Sequence, residues 1–475
     1  MARATSTSPT PSNSSSDTVS DVIVAVAQIA WEAIKLGTRL AWWAVLFPVF
    51  SAPVIAAVWA WISFGWEAGA SAALVGIVAL ALWWYLHPAS FRAVVHTRIR
   101  ARYRRSRYRH GWAAVCALNG LAPTLDGTPL IPRLRKIRIH PSVDVLTVQM
   151  IAGQTLADWT RLCDALAHGW RAQTVTATTP APGWIVLTVR TRDHLATPIP
   201  LPAPAATDLE AVTIGVTEDG MPWVVQVAGR HLLVAGATGA GKGSVVWSIL
   251  AGLAPAVHAG VVRLWVIDPK GGMEFGAATA LFDRFVHTTG TPTLELLRDT
   301  AALVQERADR YRGVTRAHAA TTVEPQVVVV IDELASLTAY ETDRKVAAET
   351  IQLLSLVLSQ GRAVGVTVIA AAQDPSKDVL SMRQLFPTRI GLRLTEATQV
   401  DMALGQGART AGALCDQIPD SLPGVGYQIE DGTARPLRAR AFHVTDPDIR
   451  ALADQYPAPT WPMETPDSGD SASQF

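Results

Sequence analysis

Apolar positions in this chain follow three different patterns, one after another. The first is unbroken. No Asp, Glu, Lys or Arg occurs from Leu40 to Trp66, nor again from Ala68 to Phe91. Each run is long enough to supply the ~20 apolar residues that cross a hydrocarbon layer. Trp42 and Trp43, then Trp59 and Trp61, flank the first run; Trp66 opens the second, and Trp83, Trp84 and Tyr85 close it. Aromatics at both ends match the interfacial belts of membrane helices. Pro48 and Pro53 would kink the first helix, which bilayer helices tolerate. The pattern predicts a membrane anchor over residues 22–91 with two transmembrane helices; a buried helical hairpin is the competing reading. Val22–Arg39 fits either a helix on the membrane surface or the start of the first span.

The second pattern, over residues 133–201, is short. Strand-like alternation at Thr174–Ala177 and Trp184–Val189 surrounds a helical spacing of Leu156, Trp159, Leu162 and Leu166. That predicts a small α+β domain, with the proline-rich run Pro198–Ala206 as a semi-rigid linker placed at residues 202–208. The third pattern covers residues 209–456. Apolar runs at Val261–Ile267, Val327–Ile331, Val366–Ala371, Arg389–Leu394 and Val425–Ile429 alternate with helical stretches. Strands alternating with helices predict an α/β fold with a parallel sheet covered on both faces. The ends, residues 1–21 and 457–475, are rich in Ser, Thr, Pro and Asp, and are expected to be disordered.

Composition changes this picture in few places. The chain has 41 Lys and Arg against 40 Asp and Glu, so attraction to a polyanion must come from local patches. One such patch is the basic juxtamembrane segment at 92–132, where Arg92, Arg98, Arg100, Arg102, Arg104, Arg105, Arg107 and Arg109 crowd together. Positive residues beside a span stay cytoplasmic, so the body of the chain is expected on that side, with the arginines facing anionic lipid. Only three cysteines occur, which excludes a disulfide framework. The mean hydropathy of +0.21 is high and fits a membrane-attached protein.

Candidate chemistry centres on HLLVAGATGAGKGSVVWSIL, His231–Leu250. It reads as strand, glycine loop, helix, the order of a phosphate-binding loop. Gly236, Ala237, Thr238, Gly239, Ala240, Gly241, Lys242 and Gly243 would wrap the phosphates of ATP, with backbone N–H groups and a helix start facing the anion. Lys242 adds a full positive charge. The usual Ser or Thr after the lysine, which ligates Mg2+, is replaced by Gly243; either Ser244 or water takes that role. VVVVIDEL, Val327–Leu334, is a buried strand that ends in Asp332 and Glu333. Asp332 would hold Mg2+ through water and Glu333 would polarise the attacking water. Asp268 and Lys270 in WVIDPKGG fit either a layer behind the nucleotide or a nucleic-acid contact, and equally a capped turn; Gln373 at the end of another strand and Arg362 in the turn before it complete the set. Gln373 fits a sensor of the terminal phosphate. Arg362 fits either an arginine reaching a neighbouring subunit's nucleotide or a solvated turn residue.

These residues together carry a resemblance. HLLVAGATGAGKGS, IDPKGGMEFG, VVVVIDELASL, GRAVGVTVIAAAQDPSKDVL, FPTRIGLRL and RARAFHVTDPDIRAL occur in the order seen in FtsK/SpoIIIE-type DNA translocases. The hairpin, the small α+β unit and the Lys242-Gly243-Ser244 variant make the chain similar to actinobacterial proteins that transfer double-stranded plasmid DNA. The resemblance implies a RecA-like P-loop ATPase fold and a homo-oligomer in the form of a hexameric ring. It implies double-stranded DNA in the ring's centre and a multi-pass anchor in the cell membrane, in contact with membrane lipids, with the ATPase in the cytoplasm. Lys377, Arg383 and Arg389 are the candidate DNA contacts, with a structural role equally open for Arg389. Chromosome segregation and protein secretion are the alternative tasks of the same superfamily. Two departures stand out. Glu396-Ala397-Thr398-Gln399 replaces the usual Ser-Arg pair, and no winged-helix module is expected after Tyr456.

Overall fold

A computed structural model describes residues 31, 48–91, 97–140, 142–376, 381–433 and 435–461. Residues 1–21, most of 22–47, and Lys377 lie outside the described residues. The chain divides into two compact units, residues 1–191 and 192–475.

The first unit begins with two apolar helices, α1 (Pro48–Phe64) and α2 (Trp66–Leu86). Gly65 joins them at φ +91°, a conformation that favours glycine. A Cβ on Gly76 would lie 2.8 Å from Pro53 Cβ, and one on Gly69 2.6 Å from Trp61 Cβ. Small residues of this kind let apolar helix backbones approach where water does not drive them together. The 21 residues of α2 span about 32 Å at ~1.5 Å each. Among the described residues α2 alone is long and apolar enough to cross a membrane; α1 is shorter, with 17 residues. The expected first span, Leu40–Trp66, is thus described only from Pro48 onward.

Helix α3 (Thr97–Leu118) leads to an antiparallel sheet of β1 (Arg133–Ile139), β2 (Val143–Gln149), β3 (Thr174–Thr178) and β4 (Trp184–Arg190), in the order β1-β2-β4-β3. Helices α4 (Leu156–Arg161) and α5 (Cys163–Trp170) connect β2 to β3. The expectation of a basic segment devoted to lipid needs correction here. Tyr108, Trp112 and Cys116, four residues apart, form one buried face of α3 against the sheet's core. Trp112 stacks on Trp159 and Trp170, with ring centroids 6.2 and 6.4 Å away. Arg104 pairs with the buried Asp144 at 3.2 Å and donates to the His140 carbonyl at 2.8 Å. Tyr108 Oη donates to the same carboxylate at 2.8 Å, and Arg107 donates to the Gly169 carbonyl at 3.0 Å. Burial raises the Asp144 pKa, and Tyr108 and Arg104 pull against that shift. At least two of the arginines therefore fasten α3 to its own domain.

The second unit is built on one wide sheet. In chain order its strands and helices are β5 (Val212–Thr217), β6 (Pro222–Val225), β7 (Leu232–Ala235), α6 (Lys242–His258), β8 (Val262–Ile267), β9 (Arg284–Val286) and α7 (Thr291–Tyr311). There follow β10 (Gln326–Ile331), α8 (Arg344–Gln360), β11 (Val366–Ala372), β12 (Thr388–Gly391), α9 (Ala397–Leu404), β13 (Val425–Glu430), β14 (Leu437–His443) and α10 (Asp446–Gln455). The order across the sheet is β9-β8-β10-β11-β7-β12-β13-β14-β5-β6. From β9 to β12 all neighbours are parallel; from β12 to β6 all are antiparallel. The expected parallel sheet is thus a mixed one. Connection length accounts for two of these pairs: β5 to β6 and β13 to β14 are joined by short turns, too short for a parallel crossover. Strands β7, β10 and β11 are buried throughout, as their continuous apolar runs require.

Two further boundaries shift. The expected linker packs on this unit: Ile199–Pro200 pair with Phe442 and His443, and Thr207 Oγ1 donates to the Gly252 carbonyl at 2.8 Å. Leu195 is fully buried in the same unit. The start of the expected C-terminal tail is also docked. Ala458 N–H donates to the Ala280 carbonyl at 2.8 Å, and the Arg263 guanidinium lies 4.8 Å over the Trp461 ring; residues 462–475 lie outside the described residues.

Candidate nucleotide site

Strand β7 lies between β11 and β12 and hands the chain to the glycine loop at the carboxyl edge of the sheet. In open α/β sheets this edge is where ligands sit. Gly236 N–H donates to the Ala372 carbonyl at 3.1 Å and Ala237 N–H to the Arg393 carbonyl at 2.9 Å, which ties the loop to both neighbouring strands. Gly241 has φ +94°, and a Cβ there would lie 2.3 Å from the Gly424 nitrogen, so no other residue fits. Helix α6 then begins at Lys242 with its first N–H groups pointing back at the loop.

Lys242 Nζ donates to the Gly236 and Ala237 carbonyls at 2.8 and 3.3 Å. Burial pushes its pKa down to about 8, against the attraction of Glu333, Asp332 and Glu274. The lysine and the acidic pair therefore share one edge of the sheet. Asp332 and Glu333 follow directly on β10. Lys270 Nζ sits 2.9 Å from Asp332 and 3.6 Å from Glu333, a cation already placed against both carboxylates. Burial alone would lower the Lys270 pKa; pairing with Asp332 and Glu333 outweighs it and the net shift is upward.

Glu333 is buried, and its Oε1 accepts from the backbone N–H of Gln373 at 3.2 Å and of Ala335 at 3.4 Å. The Gln373 side chain in turn accepts from Thr238 Oγ1 at 3.1 Å. Gln373 thus touches the phosphate loop with its side chain and the acidic pair with its backbone. Of the readings open to it, Asp268 takes the turn-capping one. It is fully buried and accepts from the N–H groups of Lys270, Glu274 and Phe275 at 3.3, 2.9 and 3.1 Å, shaping the turn that carries them.

Arg362 is not brought to this cluster. It lies in the exposed turn Gly361–Val364 at the start of β11, whereas the loop sits at that strand's far end. Seven residues of strand separate the two by about 20 Å.

Two neighbours were missed from sequence. Arg393 donates to the Thr238 carbonyl at 2.9 Å and pairs with Asp420 at 2.9 Å, bracing the loop. Glu274 lies against Gly243: a Cβ on that glycine would stand 2.3 Å from Glu274 Oε1. Burial and then repulsion from Asp332 raise the Glu274 pKa. Neither has a spacing rule that ties it to the loop; only an acid inside GGMEFG could have drawn attention.

The donors here are hard oxygens, which suit Mg2+. Among the described residues no three His, Cys, Asp or Glu side chains converge as a metal cage. Mg2+ usually takes one or two carboxylates and fills its other positions with phosphate and water, so Asp332 beside a phosphate loop fits it.

Comparison with known proteins adds to this geometry. Residues 199–414 match the FtsK/SpoIIIE family. They form an FtsK/SpoIIIE domain. Residues 80–191 match the actinomycete conjugal transfer protein N-terminal domain, which places α3 and the small sheet in one recognised region. The likeness extends beyond the FtsK/SpoIIIE domain. The transfer protein TraSA of Streptomyces ambofaciens is 27% identical over 386 residues, 73% of this chain and 90% of that protein. The DNA translocase FtsK of Corynebacterium efficiens is 26% identical over 353 residues, 66% of this chain but 35% of the translocase. The chain therefore spans about a third of the length of that translocase. Among solved structures, the conjugation coupling protein TcpA with ATPγS aligns at a TM-score of 0.46 and 18% identity, covering 74% of this chain and 99% of that one.

Proposed function

We propose that this protein is a membrane-anchored ATPase motor that moves double-stranded DNA in conjugative transfer. The observation that carries the reading is the meeting of Lys242, Asp332, Glu333 and Gln373 at one sheet edge, inside a domain that matches the FtsK/SpoIIIE family.

ATP binds with its phosphates along Gly236–Gly243, and Lys242 leaves its two loop carbonyls to meet them. Asp332 would hold Mg2+, which would shield the charge on the phosphate oxygens. Glu333, fixed by two N–H groups, takes the proton of the attacking water. Gln373 links the loop to Glu333, so loss of the terminal phosphate shifts the strand that ends in it. Subunits assemble as a hexameric ring, a reading that family likeness supports, with duplex DNA in its centre.

The match of residues 80–191 to a conjugal transfer domain favours plasmid transfer over chromosome segregation or protein secretion. The anchor is read as a two-helix hairpin: α2 spans, and α1 packs against it at Gly69 and Gly76. The motor then faces the cytoplasm and the anchor contacts membrane lipid.

The test is the ATPase rate of the detergent-solubilised protein with and without duplex DNA. Stimulation by DNA of any sequence, fading as salt rises, is expected from contact with phosphates. A rate indifferent to DNA at low salt removes the DNA motor. Lys242→Ala, which should have no activity under either condition, is the control.

A further inference from the structure

The phosphate loop lacks the hydroxyl that normally follows its lysine, and the structure shows what stands in that space. A Cβ built on Gly243 would lie 2.3 Å from Glu274 Oε1, 3.1 Å from its carboxyl carbon and 3.5 Å from Oε2. A Ser or Thr hydroxyl would leave from that same Cβ. The Glu274 carboxylate therefore fills the place that a hydroxyl would otherwise take, and only a residue without a side chain admits it. Ser244, the other candidate, is one residue further along α6 and is turned about 100° around the helix from Gly243.

The backbone that carries this carboxylate is held on two sides. The Glu274 N–H donates to the buried Asp268 at 2.9 Å, and Phe275 beside it is buried against Trp247, with ring centroids 5.2 Å apart. Its charge acts on Asp332 and on Lys242, so it belongs to the same electrostatic cluster. A carboxylate at the mouth of a phosphate loop repels a triphosphate unless a cation lies between them. This placement suits a group that meets the phosphates only through a divalent metal.

We propose that Glu274 replaces the missing hydroxyl as a holder of the nucleotide's divalent metal, and that Gly243 is glycine in order to admit it. The proposal rests on the nucleotide-site reading above, and the experiment separates the two.

The full chain in detergent is titrated with a fluorescent ATP analogue without metal, then with Mn2+ followed by electron paramagnetic resonance. Wild type binds the analogue without metal and then binds Mn2+. Failure of wild type to bind the analogue, or retention of binding by Lys242→Ala, sinks the nucleotide-site reading and this proposal with it. Glu274→Gln is expected to bind the analogue about threefold or more tightly without metal, because the repulsion is gone. Its Mn2+ affinity should fall roughly 10–100-fold. A purely structural role for Glu274 would not move the two affinities in opposite directions. Mn2+ affinity unchanged in Glu274→Gln overturns the proposal, and so does a loss of that size confined to Ser244→Ala. Should Glu274→Gln lose metal-free binding altogether, the pair Gly243→Ser with Glu274→Ala decides. It rebuilds a hydroxyl in the vacated space: recovery of Mn2+ binding supports the proposal, and absence of recovery overturns it.

Discussion

Glu333 is gripped by the backbone N–H groups of Gln373 and Ala335 and faces Lys270, so its orientation is set without help from a nucleotide. A side chain held this way is suited to accept a proton at a fixed point. Glu333→Gln keeps the shape and the N–H contacts but loses the basic oxygen. Steady-state hydrolysis should fall by about 10²–10⁴-fold while nucleotide affinity stays near wild type; equal losses in both would assign Glu333 to binding instead. His231 makes a different kind of prediction. It is fully buried at the start of β7, its Nδ1 accepts from the Val368 N–H at 2.9 Å, and its ring lies near Phe386. Burial, and then the charge of Arg362, push its pKa down to about 3. The folded chain keeps this ring neutral while the unfolded chain protonates it near pH ~6.5. Below that pH the unfolded state binds the extra proton, so stability falls as pH drops from about 6.5 toward 3. His231→Gln removes that proton uptake. The acid limb of the unfolding curve should become shallower, as measured by circular dichroism from pH 7 to 3.

At the scale of elements, α3 shows how a charged helix can belong to a core. Asp144 is completely buried, and its charge is matched by Arg104 and by the Tyr108 hydroxyl. Removing one partner of such a pair strands a buried charge, which costs about 3–5 kcal/mol. Arg104→Ala should therefore lower the melting temperature of the first unit strongly. Arg109→Ala, on the exposed side of the same helix, should change stability by no more than ~0.5 kcal/mol. The same helix explains why its role was hard to read in the sequence. Seven arginines hide the Tyr108, Trp112 and Cys116 face, and nothing in the spacing pairs Arg104 with an acid forty residues away. The phosphate loop and the β10 acids were legible because each is a short run whose local order implies strand, turn and helix. The antiparallel half of the sheet was not: the long, helix-containing connection from β12 to β13 reads as a parallel crossover, yet the two strands pair antiparallel. Glu274 was missed for a further reason: its partner is an absent side chain, which only the folded approach of two loops reveals.

At the scale of the whole molecule, the position of Arg362 separates two roles. Within one chain it lies at the sheet edge opposite the phosphate loop, about 20 Å of strand away. It therefore cannot touch its own nucleotide, and any direct contact with phosphate must be with that of a neighbouring subunit. If the ring brings that turn to the next subunit's phosphates, two defects become complementary. Arg362→Ala subunits keep an intact loop but offer no arginine, whereas Lys242→Ala subunits offer the arginine but have no loop that hydrolyses. Each variant alone should be nearly inactive, since an arginine supplied in trans is worth about 10³–10⁵ in rate in other phosphoryl-transfer enzymes. Mixed before assembly on duplex DNA, they should regain a measurable fraction of wild-type hydrolysis, because some interfaces pair an intact loop with an intact arginine. Arg362→Ala subunits that hydrolyse ATP normally by themselves would make the residue a solvated turn arginine. A mixture no more active than its components, with Arg362→Ala inactive, would place its effect inside its own chain through the nearby His231 and the start of β11.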